Sequence, residues 1–301
     1  MKTPVAFFIY KRPELTEKVF EAIRQAKPPK LLVVADGPRS DQPSESQSCA
    51  ATRSIIDRVD WDCEVIKNYS DTHLGPKQRG ASAVSWVFEQ VEEAIILEDD
   101  CLPHPTFFQF CEELLDFYRD DQRIMGISGD DSRKGGYKRT EYSYYFSRLT
   151  PIWGWASWRR AWKYYDVTMK LWPLVKEGNW LKDILRSERA TKMWTKTFQS
   201  MYEGKIDAWD YQWVFACWLQ NGINVISNVN LISNCGFNAE ATHTTDPESI
   251  RANAPLEAIK FPLKHPPFVI CDTQIEELAW KQDYPDLPSR FKKKVKKILR
   301  R

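Results

Sequence analysis

Apolar residues in this chain come in short blocks, and two spacings alternate along it. Residues 5–10, Val-Ala-Phe-Phe-Ile-Tyr, make a continuous apolar run of strand length. Lys11-Arg12-Pro13 follows. Leu15, Val19, Ala22 and Ile23 then recur at helical spacing, with Pro13 where a first helical turn tolerates it. A second run, residues 31–34, ends in Ala35-Asp36-Gly37-Pro38. A polar stretch leads to a predicted helix near 49–59 and a third strand over 63–66. The next loop carries His73, Gly75, Lys77 and Arg79 and precedes a helix predicted around 81–89. The fourth run, Ala94-Ile95-Ile96-Leu97, breaks off in Glu98-Asp99-Asp100.

This alternation predicts an α/β fold, a doubly wound sheet with helices on both faces. Continuous rather than alternating apolar runs suit strands covered on both sides. Ligands of such sheets bind outside the carboxyl ends of the strands, so Arg12, Asp36 and the three acids should converge on one rim. Three carboxylates closing a buried strand repel one another and lose solvation unless a cation meets them. A hard divalent ion, Mn²⁺ or Mg²⁺, would do so through oxygen ligands; the plain alternative is a solvated acidic turn. Neither a phosphate-binding P-loop nor a G-x-G-x-x-G turn occurs, so NTPase and dinucleotide chemistry lack support.

Beyond the acids, Pro103 and Pro105 end the strand. Phe107, Phe110, Leu114 and Phe117 then mark the apolar face of a helix. A strand over 123–128 ends in Gly129-Asp130-Asp131-Ser132, a second acidic pair that could add a ligand or simply make a turn. From residue 142 the chain is rich in tryptophan. Trp155, Trp158 and Trp162 fit one helical face, and Gly154 lets backbone approach a ligand closely. Asp207-Ala208-Trp209-Asp210-Tyr211-Gln212-Trp213 sets acids among rings just before a helix predicted over 214–219, where capping is the alternative role for Asp210. Short strands are expected over 224–226 and 228–232. In the loop beyond them, His243 could complete a metal or phosphate site.

Charge and composition narrow the classes. Hydrophobic residues make up 43% and charged residues 28%, a globular composition. The net charge is +2, yet residues 290–301 alone carry eight basic side chains and no acid, which leaves the body acidic and argues against nucleic acid as a partner. Phe291, Val295, Ile298 and Leu299 recur at helical spacing in that tail, as in a helix lying on an anionic membrane surface. Seven cysteines without C-x-x-C pairing fit reduced thiols. With neither a signal-peptide pattern nor eighteen consecutive apolar residues, the expected location is the cytoplasm, with the tail allowing peripheral contact with the inner membrane face.

Leu97-Glu98-Asp99-Asp100 followed by Pro105-Thr106-Phe107-Phe108 resembles the DxD region of GT-A glycosyltransferases, in particular the N-acetylglucosaminyltransferase I-like group. The resemblance covers residues 4 to about 245. It implies a GT-A fold, a nucleotide-diphospho-sugar donor and inverting transfer to a glycan, lipid-linked glycan or other hydroxyl acceptor. Arg12 and Asp36 occupy places that contact the nucleotide in that group. Asp100 takes the metal position, while Glu98 and Asp99 hold sugar and ribose. Lys77, Arg79 and Trp155, the last in a Gly-Trp loop, join the expected donor contacts, and His243 the metal. Trp209-Asp210-Tyr211-Gln212-Trp213 resembles the group's catalytic Trp-Asp-Asp-Trp segment, with Tyr211 in place of the second acid; Asp210 is then the base. Residues 1–265 form the expected domain, divided into a nucleotide-sugar half (1–132) and an acceptor half (133–265), with 266–301 as an extension. The alternatives are a sugar-phosphate nucleotidyltransferase, although its Gly-rich first loop is missing after Tyr10, and a non-catalytic carbohydrate-binding or membrane-associated module.

Overall fold

The computed structural model describes residues 1–131, 137–138, 140–185, 187–237, 246 and 248–283. His243 and the basic tail therefore lie outside the described residues. The first half builds β1 (Val5–Ile9), α1 (Pro13–Ala26), β2 (Lys30–Ala35), α2 (Ser44–Ser54), β3 (Glu64–Tyr69), α3 (Gly75–Gln90) and β4 (Glu93–Glu98). After β4 come β5 (Cys101–Pro103), α4 (Thr106–Phe117), β6 (Ile124–Ser128), β7 (Tyr144–Ser147) and β8 (Trp155–Trp158). Then follow α5 (Arg159–Trp162), α6 (Trp172–Glu177), α7 (Leu181–Leu185), α8 (Glu188–Tyr202), α9 (Asp210–Leu219), β9 (Ile223–Ser227), β10 (Ile232–Asn234) and α10 (Thr273–Asp283).

Eight strands make one mixed sheet in the order β3-β2-β1-β4-β8-β6-β9-β7, and β10 pairs with β5 in a small second sheet. β1 pairs in parallel with both β2 and β4, and β6 with β9, whereas β8 runs antiparallel to both β4 and β6. Successive residues of a strand point to opposite faces, so each strand feeds two cores. On one face Val5, Phe7, Ile95 and Leu97 pack with Val19 and Phe20 of α1 and Phe107, Phe110 and Leu114 of α4. On the other, Ala6, Leu32 and Ile96 pack with Val84 and Val87 of α3 and with Phe198, Trp213 and Phe215 of α8 and α9. This is the doubly wound α/β architecture expected from the sequence. Among the described residues no helix is long and apolar enough to cross a membrane.

Four local expectations are corrected. Trp155 and Trp158 belong to strand β8, not to a helix: they point to opposite faces, Trp158 into the α4 core and Trp155 into the α9 core. A spacing of three fits one helical face, but on a strand it puts the two rings on opposite sides. α3 starts at Gly75, so Lys77 and Arg79 lie in its first turns rather than in a loop; Pro76 opens the helix, as Pro13 opens α1. α9 starts at Asp210, four residues earlier than expected. Phe117, assigned to the buried face of α4, is exposed and stacks on His265.

Candidate active site

The rim at the carboxyl ends of β1 and β4 is built around one arginine. β1 pairs with β4 up to Phe8 and Glu98, which sets Tyr10, Lys11 and Arg12 beside Asp99 and Asp100. Arg12 Nη1 donates to Asp100 Oδ2 at 2.9 Å and Nη2 donates to Asp99 Oδ1, while the Tyr10 backbone N–H donates to Asp99 Oδ2 at 3.3 Å. Asp99 and Asp100 are buried and Glu98 is half-buried. Burial raises the Asp99 carboxyl above its ordinary value even with Arg12 against it. Glu98 is raised further, first by burial, then by Asp100 and Asp99, with Asp210 adding to the same effect.

Three groups here could meet a cation among the described residues: the carboxylates of Glu98 and Asp100 and the Cys101 sulfur, whose candidate ligand atoms lie within 4.8 Å of one another. Burial pushes the Cys101 thiol well up, and it donates to Asp100 Oδ1 at 3.5 Å, so it stands as a neutral thiol. A hard ion such as Mn²⁺ or Mg²⁺ takes oxygen ligands and would bind the carboxylates. The residues fit such an ion, because added positive charge relieves the crowding of carboxylates that helps raise the Glu98 pKa. Gly236 closes the other side. A Cβ there would stand 2.0 Å from Asp100 Oδ2, and Cys235 N–H donates to the Asp100 carbonyl at 2.8 Å.

Asp36 lies at the end of β2, next to this cluster, but is already engaged. Its carboxylate accepts from Gly37 N and Leu74 N at 2.9 Å and from Gly75 N at 3.1 Å, and His73 Nδ1 lies 2.8 Å from Oδ2. It thus holds the N-terminus of α3 from a neighbouring strand. The His73 ring stacks on Tyr10 at 5.2 Å, joining the ends of β1 and β3. Arg79 points inward and donates to the Ala35 carbonyl (2.9 Å) and to Asn68, tying the ends of β2 and β3; burial lowers its pKa. Glu45 was not singled out by the sequence, yet it is buried and accepts from Tyr10 Oη (2.8 Å), Lys11 Nζ (2.5 Å) and the Arg39 backbone N–H (3.1 Å) and guanidinium.

On the second side, Asp210 opens α9 behind Trp209 and lies close enough to Glu98 to raise its pKa. Trp209 is fixed from two directions: its ring stacks on Trp155 (6.1 Å, 29°), and its carbonyl accepts from Tyr165 Oη at 3.1 Å. Gly80 of α3 lies under that ring, where a Cβ would meet Trp209 Cδ1 at 2.1 Å. Trp155 is only 2% exposed, so it supports Trp209 from below instead of facing the rim. Trp153, two residues earlier, is half-buried, packs edge-on to Phe237 (5.6 Å) and carries the Arg251 guanidinium over its face at 4.0 Å. Asp130, 3.8 Å from Arg251, and Asp131, which accepts from Tyr145 Oη at 3.2 Å, are both buried in this sector. An open cleft of about 760 Å³ runs between α3 and residues 165–167 and is lined by Lys77, Gln78, Ser82, Tyr165 and Asp207 among others. Lys77 therefore lines this cleft, apart from Arg12 and the acids.

Comparison with known proteins adds little. No family model matches the chain, and no curated protein does. Among solved structures, an apo UDP-glucose pyrophosphorylase aligns over 74% of this chain and 90% of its own, at 10% identity and a TM-score of 0.36. A UDP-glucose pyrophosphorylase complexed with UDP-glucose aligns over 55% and 79%, at 12% identity and 0.31. A 4-diphosphocytidyl-2C-methyl-D-erythritol synthase from Anaerococcus prevotii aligns over 53% and 71%, at 10% identity and 0.31. Alignments this loose carry no functional argument.

Proposed function

We propose that the chain is a GT-A-like glycosyltransferase that moves a sugar from a nucleotide-diphospho-sugar donor to a hydroxyl acceptor. One observation carries the reading: Arg12 bridges Asp99 and Asp100 beside Glu98 at the strand ends, so a phosphate-binding cation and candidate metal ligands face one another, and Asp210 at the start of α9 adds to the raised Glu98 pKa. Asp100, with Glu98 beside it, would hold Mn²⁺ or Mg²⁺. That ion, when bound, supplies positive charge for the departing nucleoside diphosphate. Arg12 holds Asp99 and Asp100 in place and presents its remaining N–H groups to the diphosphate. The acceptor enters by the cleft between α3 and residues 165–167. As its oxygen bonds to the anomeric carbon and the sugar–diphosphate bond breaks, Asp210 takes the hydroxyl proton. The inverting course rests on the resemblance of the acidic motif. His243, as a metal ligand, belongs to the same proposal.

The test is product identity with two variants. Incubation with nucleotide-sugars and Mn²⁺ is expected to release nucleoside diphosphate. Asp210→Asn should slow transfer by on the order of 10²–10⁴ while leaving nucleotide affinity near that of wild type. Asp100→Ala should abolish the Mn²⁺-dependent part of that affinity in calorimetry. Near-wild-type turnover of Asp210→Asn would remove it from the base role. The second reading, a sugar-phosphate nucleotidyltransferase, draws on the paired cations Lys11 and Arg12 at the first strand end, where a triphosphate could be met; release of pyrophosphate would select it.

A further inference from the structure

We infer that residues 163–182 form a face that lies on an anionic lipid bilayer. Within this segment Met169, Trp172 and Val175 turn inward and anchor it to the α9 core. The residues between them turn outward: Leu171 is 45% exposed, Leu174 63% and Trp180 56%, with Tyr164 and Val167 also exposed. The outward set is therefore not needed to close the core. The Trp180 ring covers Gly178, where a Cβ would meet Trp180 Nε1 at 2.2 Å, and the Trp180 backbone N–H donates to the Val175 carbonyl at 3.1 Å. Exposed lysines alternate with these side chains: Lys163, Lys170, Lys176 and Lys182, against the acids Asp166, Glu177 and, next to Lys182, Asp183. The Lys163 ammonium lies 4.9 Å from the centre of the Tyr164 ring.

The mixture selects the partner. Lysine is depleted from the cores of protein interfaces, so a second protein covering Leu171, Leu174 and Trp180 would have to bury cations with them. A bilayer surface takes both: leucine and tryptophan enter the boundary between headgroups and acyl chains, while lysine stems run along it and place their ammonium groups among lipid phosphates. The face also runs into the cleft, since Val167 lines it together with Tyr165 and Asp166. On the transfer reading, an acceptor anchored in the membrane reaches the cleft from that side; the lipid contact itself does not depend on that reading.

Co-sedimentation of the full chain with vesicles tests this, using phosphatidylcholine alone and phosphatidylcholine with phosphatidylglycerol. Wild type is expected to pellet with the anionic vesicles at low salt and less in high salt. Leu171→Ser/Leu174→Ser/Trp180→Ser and, separately, Lys170→Glu/Lys176→Glu should each weaken binding at least tenfold with unchanged melting, because all five side chains are exposed. Both variants are repeated without residues 290–301, so the tail's share is measured separately. Binding that follows the tail alone and ignores both variants overturns the proposal, as does absence of anionic-vesicle binding. A wild-type dimer that the triple variant converts to monomer also overturns it, by giving the face to a second copy of the chain.

Discussion

Replacing Asp36 by alanine asks whether that carboxylate serves a ligand or the fold. The resemblance places it on the nucleotide; the hydrogen bonds place it on the N-terminus of α3, where Leu74 N–H and Gly75 N–H both donate to it. Those amides belong to the first helical turn, which lacks partners of its own and bears the positive end of the helix dipole. Alanine removes the acceptor from both, and each buried donor left unpaired costs about 1–3 kcal/mol. With Leu74 only part-buried, the sum is about 2–4 kcal/mol, a large share of the roughly 5–15 kcal/mol that holds a typical domain together. In a chain of this size that corresponds to a fall in melting temperature on the order of 3–6 °C. Asp36→Asn keeps one acceptor oxygen and should lose about half as much. Thermal and urea unfolding of the three proteins without nucleotide provide the measurement. Wild-type stability in Asp36→Ala, with nucleotide affinity lost, would refute the helix-anchoring account.

Two further outcomes are expected. Gly80→Ala, which in an open helix gains about 1 kcal/mol, should here lose about 1–2 kcal/mol and slow transfer, because the new methyl displaces Trp209 and with it Asp210; melting and turnover should fall together, and restored turnover in Gly80→Ala/Trp209→Phe would support the steric cause. Glu45 carries a depressed pKa, chiefly from its hydrogen bond with Arg39 and against the opposing effect of burial. Its contribution is thus fully present above the pKa of an unfolded glutamate and is lost as pH falls through the lower folded value. Glu45→Gln should therefore be less stable than wild type at pH 7, and urea midpoints should show the gap narrowing below about pH 4; an equal gap at pH 7 and pH 3 contradicts the ion-pair account.

The strand ends were legible because their signal is local: an apolar run followed by Arg12, Asp36 or Glu98-Asp99-Asp100 needs no knowledge of the rest of the chain. The duties of those residues were not, because they are set by partners far away in sequence. Asp36 meets amides of residues 74 and 75 across β3, and Gly80 meets Trp209 from another helix. Gly80 did leave a trace, since a glycine inside a helical pattern often marks a close approach. Glu45 left none; a glutamate in a polar stretch looks solvated until Arg39 and Tyr10 close around it. The tryptophans misled for a definite reason. At short range a spacing of three is consistent with a helical face and with a strand serving two cores, and only pairing of β8 with β4 and β6 decides between them.

That pairing bears on how the chain is made. β8 lies between β4 and β6, so the centre of the sheet is filled by a strand synthesised after both of its neighbours. Until residues 155–158 leave the ribosome, β4 presents an apolar edge with unpaired backbone groups, and β6, whose other neighbour β9 comes later still, has neither edge paired, the kind of edge that recruits other chains. The nascent protein is then most exposed to aggregation while Glu98, Asp99 and Asp100 are already translated but β8 has yet to cover the edge of β4. A fragment ending just before residue 155 should accumulate in inclusion bodies, and one ending after β9 should be markedly more soluble.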